Sequence, residues 1–303
     1  MSPDETKSNS AALTAGIACY LIWGFVPLVF QLIGRLGVGS WEILAHRIVW
    51  SAPTALIFVL LAHQWRQVLA VFRQPKVLAW LALSATLITV NWIIFIWAVN
   101  SGRVLETSLG YYINPLVNMA CGALLFRERI DGIGKAAIAL AVVGVSIQAL
   151  ALGHLPLVSL ALAFSFGGYG VVRKQVAADA QTGLFIECLI LGLPSLAFIL
   201  WMESQGGGHS FASPTATAWL LASGPITAIP LALFAWAARR LPLSAIGFMQ
   251  FIAPTISFAI GVSQGEAFTP LRALSFVFIW GGAAVFAYGA WRRSRRLALA
   301  AAA

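Results

Sequence analysis

Long apolar runs alternate with short polar segments along almost the whole chain. A membrane-spanning helix needs roughly 20 mostly apolar residues. Ten runs meet this length, at residues 11–33, 42–62, 77–99, 104–125, 132–152, 155–172, 183–202, 215–238, 243–264 and 270–291. The runs are continuously apolar, whereas the strands of a membrane β-barrel alternate over about ten residues. The pattern predicts an all-α integral membrane protein with ten transmembrane helices. Eight or nine spans is the alternative, because Pro225 and Pro230 interrupt the eighth run.

Composition excludes the soluble classes. Hydrophobic residues make up 60% of the chain, charged residues 10%, and mean hydropathy is +0.88. A typical soluble domain has about 25% charged residues, so this chain cannot cover a water-facing surface. A soluble enzyme and a disordered chain are both excluded. Residues 1–10 are polar and include two acids, which is a poor start for a signal peptide, so the first run is kept as a helix.

The distribution of lysine and arginine predicts the orientation. With ten spans, one side of the membrane collects fifteen of the nineteen basic residues, the other side has three, and Arg47 lies within a span. Basic residues are enriched in cytoplasmic loops. Both termini are therefore predicted to be cytoplasmic, in a multi-pass protein of a bacterial-type inner (plasma) membrane. The net charge of +9 is interpreted as loop charge and not as a nucleic-acid surface, and the basic tail at 292–303 as a contact with anionic lipid.

An internal repeat relates the two halves of the chain. Residues 108–130 and 245–268 each contain a glycine–aromatic pair, then Ile-x-Pro, then a glycine, and then a glutamate twelve or thirteen residues after the proline. An offset of five spans is odd, so the two copies insert in opposite orientations. The sequence thus predicts a 5+5 inverted repeat of residues 11–152 and 155–291, which is typical of secondary transporters with a site near the bilayer midplane.

Four segments resemble a known family. EILAHRIVWS (42–51), ETSLGYYINPL (106–116), FRERI (126–130) and GFMQFIAPT (247–255) resemble the RarD branch of the EamA family, within the drug/metabolite transporter (DMT) superfamily. The resemblance covers about residues 11–291. It implies ten helices, a five-plus-five inverted repeat, a central cavity and export of small metabolites. The superfamily includes aromatic amino-acid exporters of the YddG type, and the RarD branch is linked to chloramphenicol.

Charged residues inside spans are expensive and indicate a function or a specific partner. Glu42 and His46 share a helix face at i,i+4, and Arg47 lies about 100° further round. We interpret them as a polar gate or a contact for a substrate carboxylate. The alternative is a structural knot, by which we mean a set of side-chain contacts that joins this helix to its neighbours. Glu187 and Glu42 both lie near the first turn of their predicted spans, and Glu187 joins the gate or coupling group. No carboxylate is expected to be strongly buried at mid-span.

Polar and aromatic stripes predict the substrate-binding residues. Tyr111, Asn114 and Asn118 follow i, i+3, i+7 spacing, and such stripes avoid lipid. They line a cavity or serve as hydrogen bonds between helices. The further cavity candidates are Trp23, His46, Asn91, Trp92, Tyr169, Gln250 and Ser257. Pro115 and Pro254 occupy matching places in the repeat and are the best hinge candidates.

The preferred function is a secondary exporter of aromatic or neutral amino acids that works by alternating access. A multidrug exporter is the runner-up, and an intramembrane enzyme or a channel is the alternative of a different class. No phosphate-binding loop or metal-binding helix occurs in the sequence, so no ATP, cofactor, metal or catalytic residue is expected. An intramembrane enzyme would need a nucleophile beside a base, and no Ser or Cys is obviously matched to Glu42 and His46 in that role. Transport is facilitated diffusion or proton antiport through Glu42, His46 or Glu187.

The expected partners are a small-molecule substrate and membrane lipid, without nucleic acid. A monomer is the working expectation, although the residues do not determine the oligomeric state.

Overall fold

A computed structural model describes residues 3–126, 131–238, 240–241 and 249–302. Every regular element in these residues is an α-helix. The helices are α1 (Pro3–Arg35), α2 (Ser40–Leu61), α3 (Trp65–Phe72), α4 (Pro75–Asn100), α5 (Val104–Phe126), α6 (Gly132–Leu152), α7 (Leu157–Gln175), α8 (Ala180–Ser204), α9 (Pro214–Ala238), α10 (Ile252–Ser263) and α11 (Pro270–Ala302). Glu128 and Arg129 of the FRERI segment lie outside the described residues, as does the side chain of Asn118.

Seven of the described helices are long and apolar enough to cross a membrane, namely α1, α2, α4, α6, α8, α9 and α11. Two shorter apolar segments, Leu157–Arg173 and Ile252–Ser263, lie in α7 and α10. These helices confirm the prediction of an all-α integral membrane protein. The count of ten spans stays a prediction. Pro225 and Pro230 do not divide the eighth run, since α9 is one helix that contains both prolines.

Local sequence signals explain where several helices begin and end. Pro75 occupies the first turn of α4, where its missing N–H costs no hydrogen bond. The Asp131 side chain accepts a hydrogen bond from the Gly134 N–H and caps α6, and Gly153 ends that helix in the left-handed conformation at φ 71°. These caps satisfy backbone groups that a helix end leaves without partners.

Helix α3 was not predicted, because eight residues are too few to register as a span. It is amphipathic: Val68 and Val71 are buried, while Leu69 and Phe72 are exposed. The exposed positions suit the interface between lipid and water. The Trp65 ring lies 6.5 Å from that of Phe185, which places α3 against the first part of α8.

The predicted position of Glu187 in its helix is wrong. Helix α8 begins at Ala180, three residues earlier than expected, so Glu187 is its eighth residue and not a first-turn residue. At 1.5 Å per residue, this carboxylate lies about 10 Å along the helix from its start.

The chain forms two compact units. The first unit comprises Met1–Gly24, Gly102–Gly167 and Trp236–Ala303, and the second unit comprises Phe25–Ser101 and Gly168–Ala235. In the first unit α6 packs along α11 and α5 packs along α10; in the second unit α2 packs along α8. Each unit therefore draws helices from both predicted halves of the chain.

Each unit has its own apolar core. In the first unit, Leu109, Tyr112 and Ile113 of α5 pack with Phe276 and Ile279 of α11. The core of the second unit includes Ala55, Val59, Leu81, Val172 and Ile186.

Candidate functional site

The loop between α8 and α9 (residues 205–213, hereafter the α8–α9 loop) is held to α2 by Glu42. Glu42 is 1% exposed. Its Oε1 accepts a hydrogen bond from the backbone N–H of His209 at 2.6 Å, and its Oε2 lies 2.8 Å from His209 Nδ1. Hydrogen bonds to a charged acceptor are stronger than neutral ones. One buried carboxylate thus fixes both the backbone and the side chain of His209.

His46 supplies a further contact with the same loop. The Trp50 indole donates to His46 Nδ1 at 3.2 Å, and His46 Nε2 lies 3.2 Å from Ser210 Oγ. Because an indole N–H can only donate, Nδ1 is an acceptor in this arrangement, and a neutral ring carries its hydrogen on Nε2. His46 therefore donates to Ser210.

Ser210 lies beside His46, a contact that sequence reasoning did not identify. A general base must be able to accept the proton of its nucleophile, and His46 Nε2 already carries a hydrogen in this arrangement. Glu42 bonds to His209. The geometry does not assemble a nucleophile–base pair from these residues.

Arg47 lies over two aromatic rings. Its guanidinium carbon lies 4.1 Å from the centroid of the Trp92 ring and 5.2 Å from that of Phe30. Nε donates to Thr227 Oγ1 at 2.8 Å. Stacking on aromatic faces stabilises a desolvated cation. Arg47 thereby connects α2 to α1, α4 and α9, which is the kind of contact that a structural knot requires.

Glu187 is the centre of a second polar cluster. It is 2% exposed. The Ser84 hydroxyl donates to Oε1, the Tyr169 hydroxyl is also hydrogen-bonded to the carboxylate, and Arg173 Nη1 lies 3.6 Å from Oε1. A Cβ at residue 183 would lie 1.9 Å from Arg173 Nη1, so only glycine lets this guanidinium lie against α8. Glu187 is thus a strongly buried carboxylate at the eighth residue of the 25-residue α8, before the middle of the helix, and the expectation for mid-span carboxylates stays a prediction.

In the first unit, the predicted stripe lies on α5. Asn114 is 7% exposed, and the Tyr111 ring meets that of Phe166 edge to face, with centroids 6.2 Å apart. The side chains of Trp23 and Tyr20 make a similar edge contact at 5.4 Å.

The two hinge candidates lie in helices that contact each other. Ser108 Oγ of α5, the helix that contains Pro115, donates to the Pro254 carbonyl of α10 at 2.8 Å. In the same α10 region Ser257 is buried, while Gln250 is partly exposed just before the helix.

The predicted residues divide between the two units. The second unit contains Glu42, His46, Arg47, Asn91, Trp92, Tyr169 and Glu187. The first unit contains Trp23, Tyr111, Asn114, Pro115, Asn118, Gln250, Pro254 and Ser257. Asn91, next to Trp92 on α4, is 1% exposed.

Sequence reasoning missed several residues that contact Glu42, His46, Arg47 and Glu187. They are Phe30, Ser84, His209, Ser210 and Thr227. Most are separated by more than 100 positions from the residue they contact, and no spacing rule connects them. Polar residues in a loop such as 205–213 are ordinary, so His209 gave no signal of its own.

No group of three or more His, Cys, Asp or Glu side chains that could hold a metal ion occurs in the part of the chain that the structure describes.

Comparison with known proteins identifies relatives over nearly the full chain. Residues 10–149 match the model of the EamA-like transporter family. The protein RarD of Salmonella typhi is 41% identical over 295 residues, which is 96% of this chain and 99% of that protein. An uncharacterized transporter of Vibrio cholerae is 40% identical over 289 residues, 94% of each chain.

Two more distant comparisons also cover most of the chain. The chloramphenicol-sensitive protein RarD of Pseudomonas aeruginosa is 30% identical over 276 residues, 89% of each chain. A protein of known crystal structure, 20% identical, has a TM-score of 0.59 and a match covering 91% of this chain and 97% of its own. That last likeness shows a shared fold alone.

Proposed function

Because this chain belongs to the EamA-like transporter family, in its RarD branch within the DMT superfamily, we propose that it is a secondary transporter that exports small amphipathic metabolites across the inner (plasma) membrane by alternating access. The observation that carries the proposal is the full-length similarity to bacterial RarD proteins. That similarity coincides with polar and charged side chains kept inside membrane-spanning helices, where they are costly without a role.

Helix pairing supports the inverted repeat. In the predicted numbering of ten spans, α2 and α8 are the second and seventh, α5 and α10 the fourth and ninth, and α6 and α11 the fifth and tenth. Each of these pairs packs together within one unit. Contact between equivalent helices is what a pseudo-two-fold axis produces, and such an axis underlies alternating access in many secondary transporters. The central cavity stays a prediction.

Aromatic or neutral amino acids are the proposed cargo. In the first unit, Asn114 and Tyr111 share a face of α5, and the Tyr111 ring meets that of Phe166 from α7. Apolar walls with a few polar groups are typical of small-molecule sites. Amphiphilic drugs are the second candidate cargo, which the name of the Pseudomonas aeruginosa relative favours.

The α8–α9 loop is the proposed outer gate. The lysine and arginine distribution predicts that this loop lies on the non-cytoplasmic side. Glu42 and His46 hold it closed over the beginning of α2 through His209 and Ser210. In this proposal Arg47 acts as the fixed knot behind the gate, since its contacts join four helices.

Energy coupling is proposed to depend on Glu187. A buried carboxylate beside Arg173 can exchange a proton as its contacts with Ser84 and Tyr169 change. Amino-acid accumulation in proteoliposomes with and without an imposed proton gradient tests this proposal, with E187Q as the variant. If accumulation by the unsubstituted protein does not depend on the proton gradient, the coupling proposal is wrong and facilitated diffusion is the remaining mechanism.

Counterflow in proteoliposomes tests the cargo. Purified protein is reconstituted into vesicles loaded with unlabelled phenylalanine, and labelled phenylalanine is added outside. We expect transient accumulation of label above the level in protein-free vesicles. Absence of counterflow with phenylalanine and with a panel of other neutral amino acids would remove the amino-acid proposal, and chloramphenicol is then the next solute to test.

A further inference from the structure

Asn114 carries a buried acceptor that no described residue satisfies. The side chain is 7% exposed, and its Oδ1 has no hydrogen-bond partner among the described residues. A buried acceptor without a donor costs about 1–3 kcal/mol. Most buried polar side-chain atoms in proteins have a partner, so this carbonyl oxygen needs an explanation.

Asn114 shares a face of α5 with an aromatic residue that lies outside the apolar core cluster. Leu109, Tyr112 and Ile113 pack in the core of the first unit against α7 and α11. Tyr111 does not belong to that core cluster. Asn114 is three residues from Tyr111 and shares a face of the helix with it. Asn114 therefore lies beside an aromatic side chain.

The chemistry of this face favours a positive donor. An amide carbonyl oxygen only accepts hydrogen bonds, so a carboxylate cannot bond to it. The faces of aromatic rings are electronegative and attract cations. Tyr111 and Phe166 meet at an interplanar angle of 90°, which turns the face of one ring toward the edge of the other.

We propose that Asn114 Oδ1 accepts a hydrogen bond from the ammonium group of the transported solute, with the Tyr111–Phe166 pair beside it. This inference rests on the proposed function and names the part of the solute that the site recognises. It makes a primary amine the required feature of the cargo. A solute that lacks the amine loses this contact and leaves the acceptor unpaired.

Three competitors in the phenylalanine counterflow assay separate the two ends of the solute. Phenylalanine has both an ammonium and a carboxylate group, 2-phenylethylamine keeps only the ammonium, and 3-phenylpropanoate keeps only the carboxylate. In the unsubstituted protein, 2-phenylethylamine should compete at least about tenfold better than 3-phenylpropanoate, as a hydrogen bond to a charged group predicts.

Substitutions at residue 114 assign the effect. N114A should weaken competition by phenylalanine and 2-phenylethylamine about tenfold and leave 3-phenylpropanoate unchanged. N114D, whose carboxylate oxygens are acceptors, should retain amine binding. N100A is the matched control, because the buried amide atoms of Asn100 also have no hydrogen-bond partner in the described residues and that side chain lies against Gly34 in the second unit.

The outcomes separate this inference from the proposed function. Loss of affinity that is equal for all three competitors in N114A, or no loss for any of them, overturns the role of Asn114 while counterflow itself supports an amino-acid transporter. Equal losses in N114A and N114D also overturn it. Failure of the unsubstituted protein to show counterflow with phenylalanine overturns the proposed cargo, and the ammonium site with it.

Discussion

At the scale of single residues, the membrane makes every buried charge informative. Arg47, Glu42 and Glu187 are each at least nine-tenths buried. Their partners are, in that order, two aromatic rings, a histidine, and a cluster of hydroxyl and guanidinium groups. Removing one partner of such a group is costly, because the remaining charge stays buried. The effect of a substitution therefore depends on what is left behind.

His209 tests whether the α8–α9 loop is a gate. In H209A the side-chain bond to Glu42 is lost, whereas the backbone N–H of residue 209 still donates. We expect amide hydrogen exchange across residues 206–213 to rise about tenfold, since a hydrogen bond to a charged group contributes about 1.5–3 kcal/mol. A gate also predicts a changed initial rate of counterflow.

H154A is the control for H209A. His154 is exposed and its Nδ1 lies 2.8 Å from the Leu155 carbonyl oxygen, so exchange in 206–213 should not change. Unaltered exchange of this loop in H209A would show that the side-chain bond from His209 to Glu42 does not hold it. A lower melting temperature with an unchanged transport rate would favour the structural knot over the gate.

At the scale of helices, close packing depends on a few positions without a side chain. Helix α9 approaches α2 at Gly224, where an added Cβ would lie 2.1 Å from the carbonyl carbon of Trp50. That neighbour is backbone and cannot move aside without shifting α2. In α8, by contrast, a Cβ at Gly192 would meet nothing within 4 Å.

The G224A and G192A variants form a matched pair. We expect G224A to destabilise the protein by about 1–3 kcal/mol, as overpacking does. G192A should be neutral or stabilising by about 0.5–1 kcal/mol, because alanine is the better helix former. Thermal unfolding in detergent measures both. Equal melting temperatures for the two variants would contradict the close approach of α9 to α2.

The beginning of α5 is capped by a carboxylate from another element. Glu266 Oε1 accepts from the Val104 N–H at 2.5 Å, and Oε2 accepts from the Leu105 N–H at 2.9 Å. Burial raises the pKa of the Glu266 carboxyl above its ordinary value, although these two backbone donors oppose the rise. A raised pKa in the folded state gives stability that is present at acid pH and is lost as pH rises through it.

This linkage predicts a trend with pH. The quantity to measure is the melting temperature of the unsubstituted protein minus that of E266Q. This difference should fall as pH is raised from about 4, the ordinary pKa of a glutamate, through the raised pKa of Glu266. The E266Q variant removes the titrating group, so the difference isolates this residue. A difference that grows with pH would mean that the folded state favours the ionised form.

At the scale of the whole molecule, the prediction concerns orientation. Both chain ends are expected on the cytoplasmic side, with the α8–α9 loop on the other. Fusions of a reporter that works only in the cytoplasm should be active at both termini. Alkaline phosphatase, which folds only outside the cytoplasm, should be active when inserted after Phe211, which is 85% exposed. Phosphatase activity at either terminus would refute an even number of spans or the assigned orientation.

Much of the fold followed from sequence because a membrane restricts what a chain can do. In lipid, backbone groups must be satisfied within the segment, so a continuous apolar run of sufficient length is a helix. The high cost of charge in lipid likewise made Glu42, His46, Arg47 and Glu187 candidates without any knowledge of their neighbours. Motifs such as 106–116 were enough to indicate the family.

Partnerships between distant residues were decided only by the tertiary structure. Glu42 meets His209 across 167 positions and Arg47 meets Thr227 across 180, and no periodicity links such pairs. The burial of Glu187 depended on where α8 begins and on Ser84 from α4. The unsatisfied oxygen of Asn114 is also a property of packing. Apolar pattern determines that a segment is a helix, whereas the choice of neighbours depends on side-chain shapes and close approaches that exist only after the helices have packed.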